Sequence, residues 1–220
     1  LLFDWWKGEL PPLPADRPLL VFASHRHEDH FNPAIFSLAE GGRDVRFLLG
    51  KDIRLTERNR TRWNLSDDAA GRCLCLGGGE TVSPVPGVTV ETLPSTDEGV
   101  AFVVSLEGKT LFHAGDLNWW HWEGEDEFNR DQERRYQHQM QLLAQELDGE
   151  PLDLACVPVD PRLEGDFLRG LLAFEAAVRA EHILPIHLWG DLSVPDRIRE
   201  QVRPQLWERV LPLKERGRVL

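Results

Sequence analysis

Three histidines and an aspartate lie within six residues, in the segment His25-Arg26-His27-Glu28-Asp29-His30. Imidazole nitrogens and carboxylate oxygens are ligands that zinc, iron or manganese take from proteins. Because alternate residues of an extended loop point the same way, His25 and His27 can bind one ion together. Asp29 and His30 follow a turn and can reach a second ion. A polar loop that leads into a helix is the alternative, but the density of the pattern favours a metal site.

The residues on either side of this segment predict a strand followed by a helix. The apolar run Leu19–Ala23 has the length of a buried strand. Asn32 and Pro33 are the residue types of an N-cap and a first helical position, so a helix is predicted over 33–40, before Gly41. The histidines are therefore expected at the carboxyl end of a strand, where α/β proteins place their chemistry.

Apolar runs and turn residues predict the remaining elements of the chain. Strands are predicted over 1–6, 45–49, 72–76, 88–93, 100–106, 110–113, 152–159 and 182–188, and helices over 123–147, 166–180 and 196–210. The strands fall into two groups with helices after each. This order favours two sheets packed face to face with helices outside.

Three motifs carry a resemblance to a known family. They are His25-x-His27-x-Asp29-His30, Leu111-Phe112-His113-Ala114-Gly115-Asp116 and Ile183-Leu184-Pro185-Ile186-His187. In type, order and spacing they resemble the motifs of the metallo-β-lactamase superfamily. Within it, the nearest branch contains ascorbate-phosphate lactonases and N-acylphosphatidylethanolamine phospholipase D.

The resemblance spans nearly the whole chain and implies its architecture. The implied fold is of the α/β class, an αβ/βα four-layer sandwich with two mixed β-sheets face to face and helices outside. Residues 1–220 would form a single domain, with an N-terminal half of about 1–117 and a C-terminal half of about 118–220. Related folds have a β-hairpin before the strand predicted at Leu1, so the chain is expected to start inside the fold.

The resemblance also implies two metal sites and a departure at one of them. The implied ligands are His25 and His27 for one ion, Asp29, His30 and His187 for the other, and Asp116 as the bridge. The remaining family ligand is a histidine in the loop before the Gly-Asp strand, and here Ser95 is closest to the expected position. Asp97, His113 or His121 could substitute for that histidine, or this metal could be weakly bound or absent.

The implied ligands predict hydrolysis. One or two divalent ions, with zinc favoured and manganese or iron as alternatives, would lower the pKa of bound water and yield a metal-bound hydroxide. The predicted reaction is cleavage of an ester, lactone or phosphodiester bond in a small molecule, with Asp29 as the catalytic residue that holds the nucleophile. No Gly-x-Ser-x-Gly pattern, typical of serine hydrolases, occurs in the chain.

Three tryptophans, Trp119, Trp120 and Trp122, follow Asp116 closely. Large rings in a loop either pack against the protein or contact a ligand. A substrate wall and an aromatic plug at the edge of the sandwich are equally open. Alternation cannot bury all three rings on one side, so at least one is expected to border the metal cleft.

The composition restricts the partners of the protein. A formal net charge of -12 is unlike the basic surface that binds nucleic acid. No apolar run approaches the ~20 residues that a membrane span needs. Three cysteines do not suggest a disulfide framework, so a cytoplasmic location is predicted. The oligomeric state is not predicted.

Three other functions compete with a small-molecule hydrolase. A non-catalytic metal-binding or sensor protein is the main alternative, because a histidine ligand is missing. An iron protein that handles dioxygen and a nuclease are weaker alternatives. The iron protein would be expected to have a flavodoxin-like extension, and the nuclease would be expected to have a domain that clamps nucleic acid.

Overall fold

Ten strands form two β-sheets in the part of the chain that this computed structural model describes, residues 1–14 and 16–213. The first sheet contains, in spatial order, β1 (Leu2–Phe3), β2 (Leu19–Ala23), β3 (Val45–Gly50) and β4 (Cys73–Leu76). All of its strand pairs are parallel. Parallel neighbours need crossover connections, and helical segments lie between β2 and β3 and between β3 and β4.

The second sheet has six strands and is mixed. In spatial order it contains β10 (Ala180–Ile186), β9 (Leu152–Pro158), β8 (Lys109–His113), β7 (Val100–Leu106), β6 (Val88–Pro94) and β5 (Thr81–Val82). The pairs from β10 to β8 are parallel, and those from β8 to β5 are antiparallel. The expectation of two mixed sheets therefore holds for this sheet, whereas the described part of the first sheet is purely parallel.

Helices cover the outer faces of both sheets. The α-helices are α1 (Glu57–Arg62), α2 (Asp67–Gly71), α3 (Asp126–Leu147), α4 (Arg169–Ala177), α5 (Val194–Gln201) and α6 (Pro204–Trp207), and 3₁₀ segments cover Pro33–Gly42 and Pro161–Asp166. The helix predicted over 33–40 is the first 3₁₀ segment, and the Asn32 side chain accepts a hydrogen bond from the Ala34 amide at 2.9 Å, as an N-cap does. Among the described helices, none has the length and apolar character to cross a membrane.

The alternation of side chains along β2 explains the layers. Phe22 lies between the two sheets, where its ring meets Phe102 of β7 edge to face at 5.1 Å. Val21 points to the opposite face and packs with the helical segment around Ile35. Each of these side chains is almost fully buried, which stabilises the fold by about 1.5–3 kcal/mol per side chain. Successive residues of one strand thus hold a sheet to its partner and to its helices, as a four-layer sandwich requires.

The helix predicted over 196–210 is wrong in its second half. Helix α5 ends at Gln201 and a short turn, α6, begins at Pro204. Proline lacks an amide hydrogen and disfavours helical geometry in the residue before it, so the helix cannot continue through this point. The chain then runs beside β10, where the Leu211 amide donates to the Ile183 carbonyl at 2.8 Å. This segment extends the edge of the second sheet.

Candidate metal centre

The six predicted ligands converge at one edge of the sandwich. They follow the carboxyl ends of β2, β8 and β10, three strands that belong to two different sheets. Their potential donor atoms form two groups, each with members within 4.8 Å of one another: His25, His27 and Asp116, and Asp29, His30 and His187. Each group has the composition of a metal-ion site, and the assignment of these residues as ligands stays a prediction.

Asp116 lies between the two groups and has one oxygen directed to each. Its Oδ2 is 3.4 Å from Nε2 of His25. Its Oδ1 is 3.1 Å from Nε2 of His30 and 3.3 Å from Nε2 of His187. A carboxylate whose oxygens divide in this way can bridge two ions.

The two remaining members of the groups face the cleft. Nδ1 of His27 lies 2.9 Å from Nε2 of His25, so these rings present adjacent nitrogens. Oδ2 of Asp29 lies 3.6 Å from Nε2 of His30 and 3.7 Å from Nε2 of His187. The Asp29 side chain is 31% exposed, which gives its carboxylate access to a molecule in the cleft.

The residues that orient the histidine rings are not among the candidates predicted from the sequence. Nδ1 of His30 lies 2.7 Å from Oδ2 of Asp4, and Nδ1 of His187 lies 2.9 Å from Oδ2 of Asp160. Nδ1 of His25 lies 3.0 Å from Oγ of Ser24, and this hydroxyl donates to Asp4 at 2.8 Å. Such outer contacts select the ring nitrogen that faces a metal. The available signal was a polar residue directly after an apolar strand, as in Phe3-Asp4, Ala23-Ser24 and Val159-Asp160.

The electrostatics of the buried groups indicate an excess of negative charge. Burial alone would raise the pKa of Asp4, but His113, His30 and the Ser24 amide lower it to about 2. Burial also lowers the pKa of His30, yet its close contacts with Asp116 and Asp4 raise it to about 10. A proton on His30 therefore offsets the charge of the neighbouring carboxylates. A divalent cation would supply the same compensation and would displace that proton.

Three buried polar atoms at the centre of the site are suited to bind a cation. Nε2 of His30, Oδ1 of Asp116 and Nε2 of His187 are buried, and the two nitrogens lie 3.1 and 3.3 Å from the Asp116 oxygen, but none of the three makes a hydrogen bond of acceptable geometry with the described residues. Buried polar atoms are normally paired, because leaving one unpaired costs about 1–3 kcal/mol. Since these atoms converge with suitable chemistry for a transition metal, the residues present fit such an ion.

Close backbone packing around Ser24 places the histidine loop. A Cβ atom on Gly115, whose φ is +54°, would lie 2.6 Å from the Ser24 Cβ. A Cβ on Gly99 or Gly50 would lie 2.0 Å or 2.2 Å from the Ser24 carbonyl oxygen. Glycine thus allows three loops to approach the start of the motif. The positive φ of Gly115 also lets the backbone turn sharply just before Asp116.

The backbone of His187 departs from the strand predicted over 182–188. Strand β10 ends at Ile186, and His187 has a φ of +65°. Left-handed backbone is unfavourable for a residue with a Cβ and persists where the surroundings enforce it. The turn directs His187 toward Asp116 and Asp160, while His182 on the same strand is exposed.

The four candidates for the missing ligand occupy different surroundings. Oγ of Ser95 accepts a hydrogen bond from the Asp97 amide at 3.1 Å. Nδ1 of His113 accepts from the Gly115 amide, and Nδ1 of His121 lies 2.7 Å from Oδ2 of Asp166. Oδ2 of Asp97 is 4.0 Å from Nδ1 of His27 and lines the cleft. Asp97 is therefore the best placed of these substitutes.

A cavity of about 290 Å³ opens above the two groups. Its lining residues are His27, Asp29, Thr96, Asp97, Asp116, Trp120, Trp122, Phe128, Gln132, Arg162, His187 and Trp189. A larger groove, of about 1270 Å³, lies between the Pro33–Gly42 segment and helices α1 and α2. That groove contains none of the predicted ligands, so the smaller cavity is the candidate substrate site.

The predicted tryptophans divide between the cavity and the protein interior. Trp120 and Trp122 line the cavity, and their parallel rings have centroids 6.4 Å apart. The indole nitrogen of Trp120 donates to the Asp116 carbonyl at 3.1 Å. Trp119 packs instead near Tyr136, with centroids 6.5 Å apart. Trp189, which the sequence analysis missed, provides a further ring at the cavity.

Comparison with known proteins supports this assignment of fold and class. No family model matches the chain. It is 26% identical to a UPF0173 metal-dependent hydrolase from Nitratidesulfovibrio vulgaris strain DP4 over 194 residues, which are 87% of this chain and 71% of the relative. A protein of the same name from the Hildenborough strain is 26% identical over 198 residues, with the same shares of the two chains.

Solved structures show the same fold at low sequence identity. A Parabacteroides distasonis protein, provisionally named a metal-dependent hydrolase, matches 91% of this chain and 79% of its own, with a TM-score of 0.54 and 14% identity. CmlA, a diiron β-hydroxylase from Streptomyces venezuelae, matches 80% of this chain and 36% of its own, with a TM-score of 0.52 and 13% identity.

The chain has the metallo-β-lactamase fold, and the proteins similar to it in sequence are named metal-dependent hydrolases. Its two sheets and the flanking helices define this fold, and the converging histidines and aspartates are groups that could hold metal ions. The relatives do not single out the branch with ascorbate-phosphate lactonases and N-acylphosphatidylethanolamine phospholipase D, which stays a prediction. The division into halves at residue 117 also stays a prediction.

Proposed function

We propose that the protein hydrolyses an ester, lactone or phosphodiester bond of a small molecule, with one or two divalent metal ions at the centre. The observation that carries the proposal is the convergence of His30, Asp116 and His187 beneath a cavity, with buried facing atoms that make no hydrogen bond of acceptable geometry with the described residues. Zinc is the favoured ion, and manganese or iron is the alternative. The proposed setting is the cytoplasm.

The proposed metal ligands are those of the two groups. His25, His27 and Asp116 would hold one ion, and Asp29, His30 and His187 would hold the other together with Asp116. When bound there, divalent ions activate water and polarise the oxygen of the bond to be cleaved. Asp4, Asp160 and Ser24 keep the histidine rings in orientation, so little reorganisation is needed when an ion binds.

Two features of the chain support catalysis in addition to binding. Asp29 lines the cavity and is partly exposed, so its carboxylate can accept a proton from a water molecule and hold that water in line with the substrate. Trp120 and Trp122 cover one side of the cavity. Their rings can hold the apolar part of a small substrate and restrict water around the reacting bond.

Metal-dependent turnover tests the proposal. The full chain is stripped with chelator, reloaded with zinc, manganese or iron(II), and assayed with 4-nitrophenyl butyrate, γ-butyrolactone and bis(4-nitrophenyl) phosphate. Activity toward at least one compound should appear only after metal is restored. His187→Ala should lose most bound metal and its thermal stabilisation, since binding to the native state stabilises it by about 2.7 kcal/mol at one hundred times Kd. His182→Ala, on the same strand but exposed, is the matched control.

A non-catalytic metal-binding or sensor protein is the second candidate. It is favoured by Ser95, which stands where the family has a histidine and hydrogen-bonds to its own loop. Tight metal binding without turnover of any of the three bond types would support this candidate. A protein that neither binds these metals nor gains thermal stability from them would contradict both functions.

A further inference from the structure

The cavity above the centre has an uneven distribution of charge. Arg162 is the one lysine or arginine among its described lining residues, whereas the aspartates of the lining lie at the predicted metal ligands or beside them. The Arg162 side chain is 46% exposed and can reach a molecule in the cavity. A guanidinium in this position must influence which ligands enter.

The guanidinium of Arg162 is held by hydrogen bonds and by an aromatic ring. Its Nε donates to both oxygens of Asp160 at 3.0 and 2.9 Å, and its Nη2 donates to Oδ2 at 2.5 Å. The central carbon lies 4.1 Å from the ring centroid of Trp189 and 5.8 Å from that of Trp122. A planar cation held in this way loses little freedom when it forms another contact.

Part of the guanidinium faces away from this ion pair. The contacts with Asp160 use Nε and Nη2, so Nη1 is not part of the pair. The hydrogen bonds that Arg162 donates to Asp160 raise the pKa of Arg162, and the charges of Asp160, Asp116 and Asp29 add to the effect, as expected for a cation close to the centre. Arg162 therefore presents positive charge beside the site where a bond would be cleaved.

We propose that Arg162 determines specificity by binding an anionic group, a carboxylate or phosphate, on the substrate near its scissile bond. The inference rests on the proposed function and narrows its substrate class to anionic small molecules with an apolar part. Trp122 and Trp189 would contact that apolar part. A cationic ligand is disfavoured, because the guanidinium already occupies the space over the Trp189 ring.

Two matched pairs of compounds test the role of Arg162. Monomethyl succinate and methyl butyrate have acyl chains of equal length that end in a carboxylate and a methyl group. Their binding to the metal-loaded full chain is followed by tryptophan fluorescence, because Trp122 and Trp189 flank the guanidinium. 4-Nitrophenyl hemisuccinate and 4-nitrophenyl butyrate form the equivalent pair for turnover. The unmodified protein should prefer the anionic member of each pair.

Arg162→Met should reduce the preference for the anionic member by about ten- to a hundredfold, the range of a hydrogen bond to a charged group. Loss of the contact with Asp160 would change the affinity for the anionic and the neutral compound by the same factor. The ratio of the two affinities therefore measures recognition of the charge. Arg162→Lys should retain part of the preference. Arg169→Met is the matched control, because Arg169 also pairs with an aspartate and lies over a tryptophan ring, but outside the cavity lining.

The outcomes separate this inference from the proposed function. Preferential binding of monomethyl succinate that depends on Arg162, without turnover, supports the inference and contradicts hydrolysis of these esters. Turnover with no preference for the anionic member contradicts the inference alone. Equal effects of Arg162→Met on both members of the fluorescence pair also overturn it, and show that Arg162 acts only through Asp160.

Discussion

Nδ1 of His187 lies 2.9 Å from Oδ2 of Asp160, and the Asp160 side chain is fully buried. The contact turns the opposite ring nitrogen, Nε2, toward Asp116 at 3.3 Å. Because the backbone of His187 is in the left-handed region, the ring depends on such contacts for its orientation. Asp4 has the same relationship to His30, with a distance of 2.7 Å. Asp160 and Asp4 therefore each orient one histidine ring so that its Nε2 faces the candidate metal centre.

Replacing Asp160 by asparagine should weaken metal binding about 10–100-fold. The amide keeps the size of the side chain but removes the charge that favours the Nδ1–H form of His187. Competition against a chromophoric chelator measures the affinity. Asp166→Asn is the matched control, because Asp166 contacts His121 and Arg169 outside the cavity lining. Equal affinities in Asp160→Asn and the parent protein would show that the contact has no influence on the centre.

The two metal sites should be unequal. The group with Asp29, His30 and His187 should fill first, because the group with His25 and His27 lacks its third histidine. Ser95→His should tighten the second equivalent of zinc in a calorimetric titration. Since Ser95 is buried and the larger ring could disturb its loop, Asp97→Asn provides a second test and should weaken the same equivalent. Two equally tight sites in the parent protein would refute the asymmetry.

Alanine substitutions should separate the roles of the tryptophans. Trp122→Ala should raise KM or alter specificity with a small loss of stability, because this ring lines the cavity and is partly exposed. Trp119→Ala should mainly lower the free energy of unfolding, by about 3–5 kcal/mol at most, because its ring packs against the interior near Tyr136. Steady-state kinetics and denaturant unfolding measure the two effects. Loss of stability alone in both variants would contradict the cavity wall.

Gly115→Ala should destabilise the protein more than Gly108→Ala. Both glycines have positive φ, +54° and +73°, so the conformational penalty of a Cβ is similar. A Cβ at position 115 meets Ser24 at 2.6 Å, whereas none of the surrounding described atoms lies within 4 Å at position 108. The difference in unfolding free energy should be about 1–3 kcal/mol, the range for overpacking. Equal losses would mean that Ser24 moves freely and does not restrain the histidine loop.

The sequence by itself determined the class of centre and the main order of the elements. His25, His27, Asp29 and His30 are close in sequence, so their chemistry could be recognised without knowledge of the fold. Their position after an apolar strand follows from local patterns of residue type. Asp116 and His187 were added by the resemblance to the metallo-β-lactamase superfamily, since both follow strands that match its motifs. Local chemistry was sufficient for these features.

Only the tertiary structure decided which distant residues support that centre. Asp4 and Asp160 directly follow apolar strands, which is too common a pattern to mark them, and the residues around Arg162 form no motif. All three reach the site because strands of both sheets end at the same edge. The course of the chain after α6 likewise depended on the contact of Leu211 with β10. Pairings between residues far apart in the chain arise from packing, so a pattern read along one segment does not contain them.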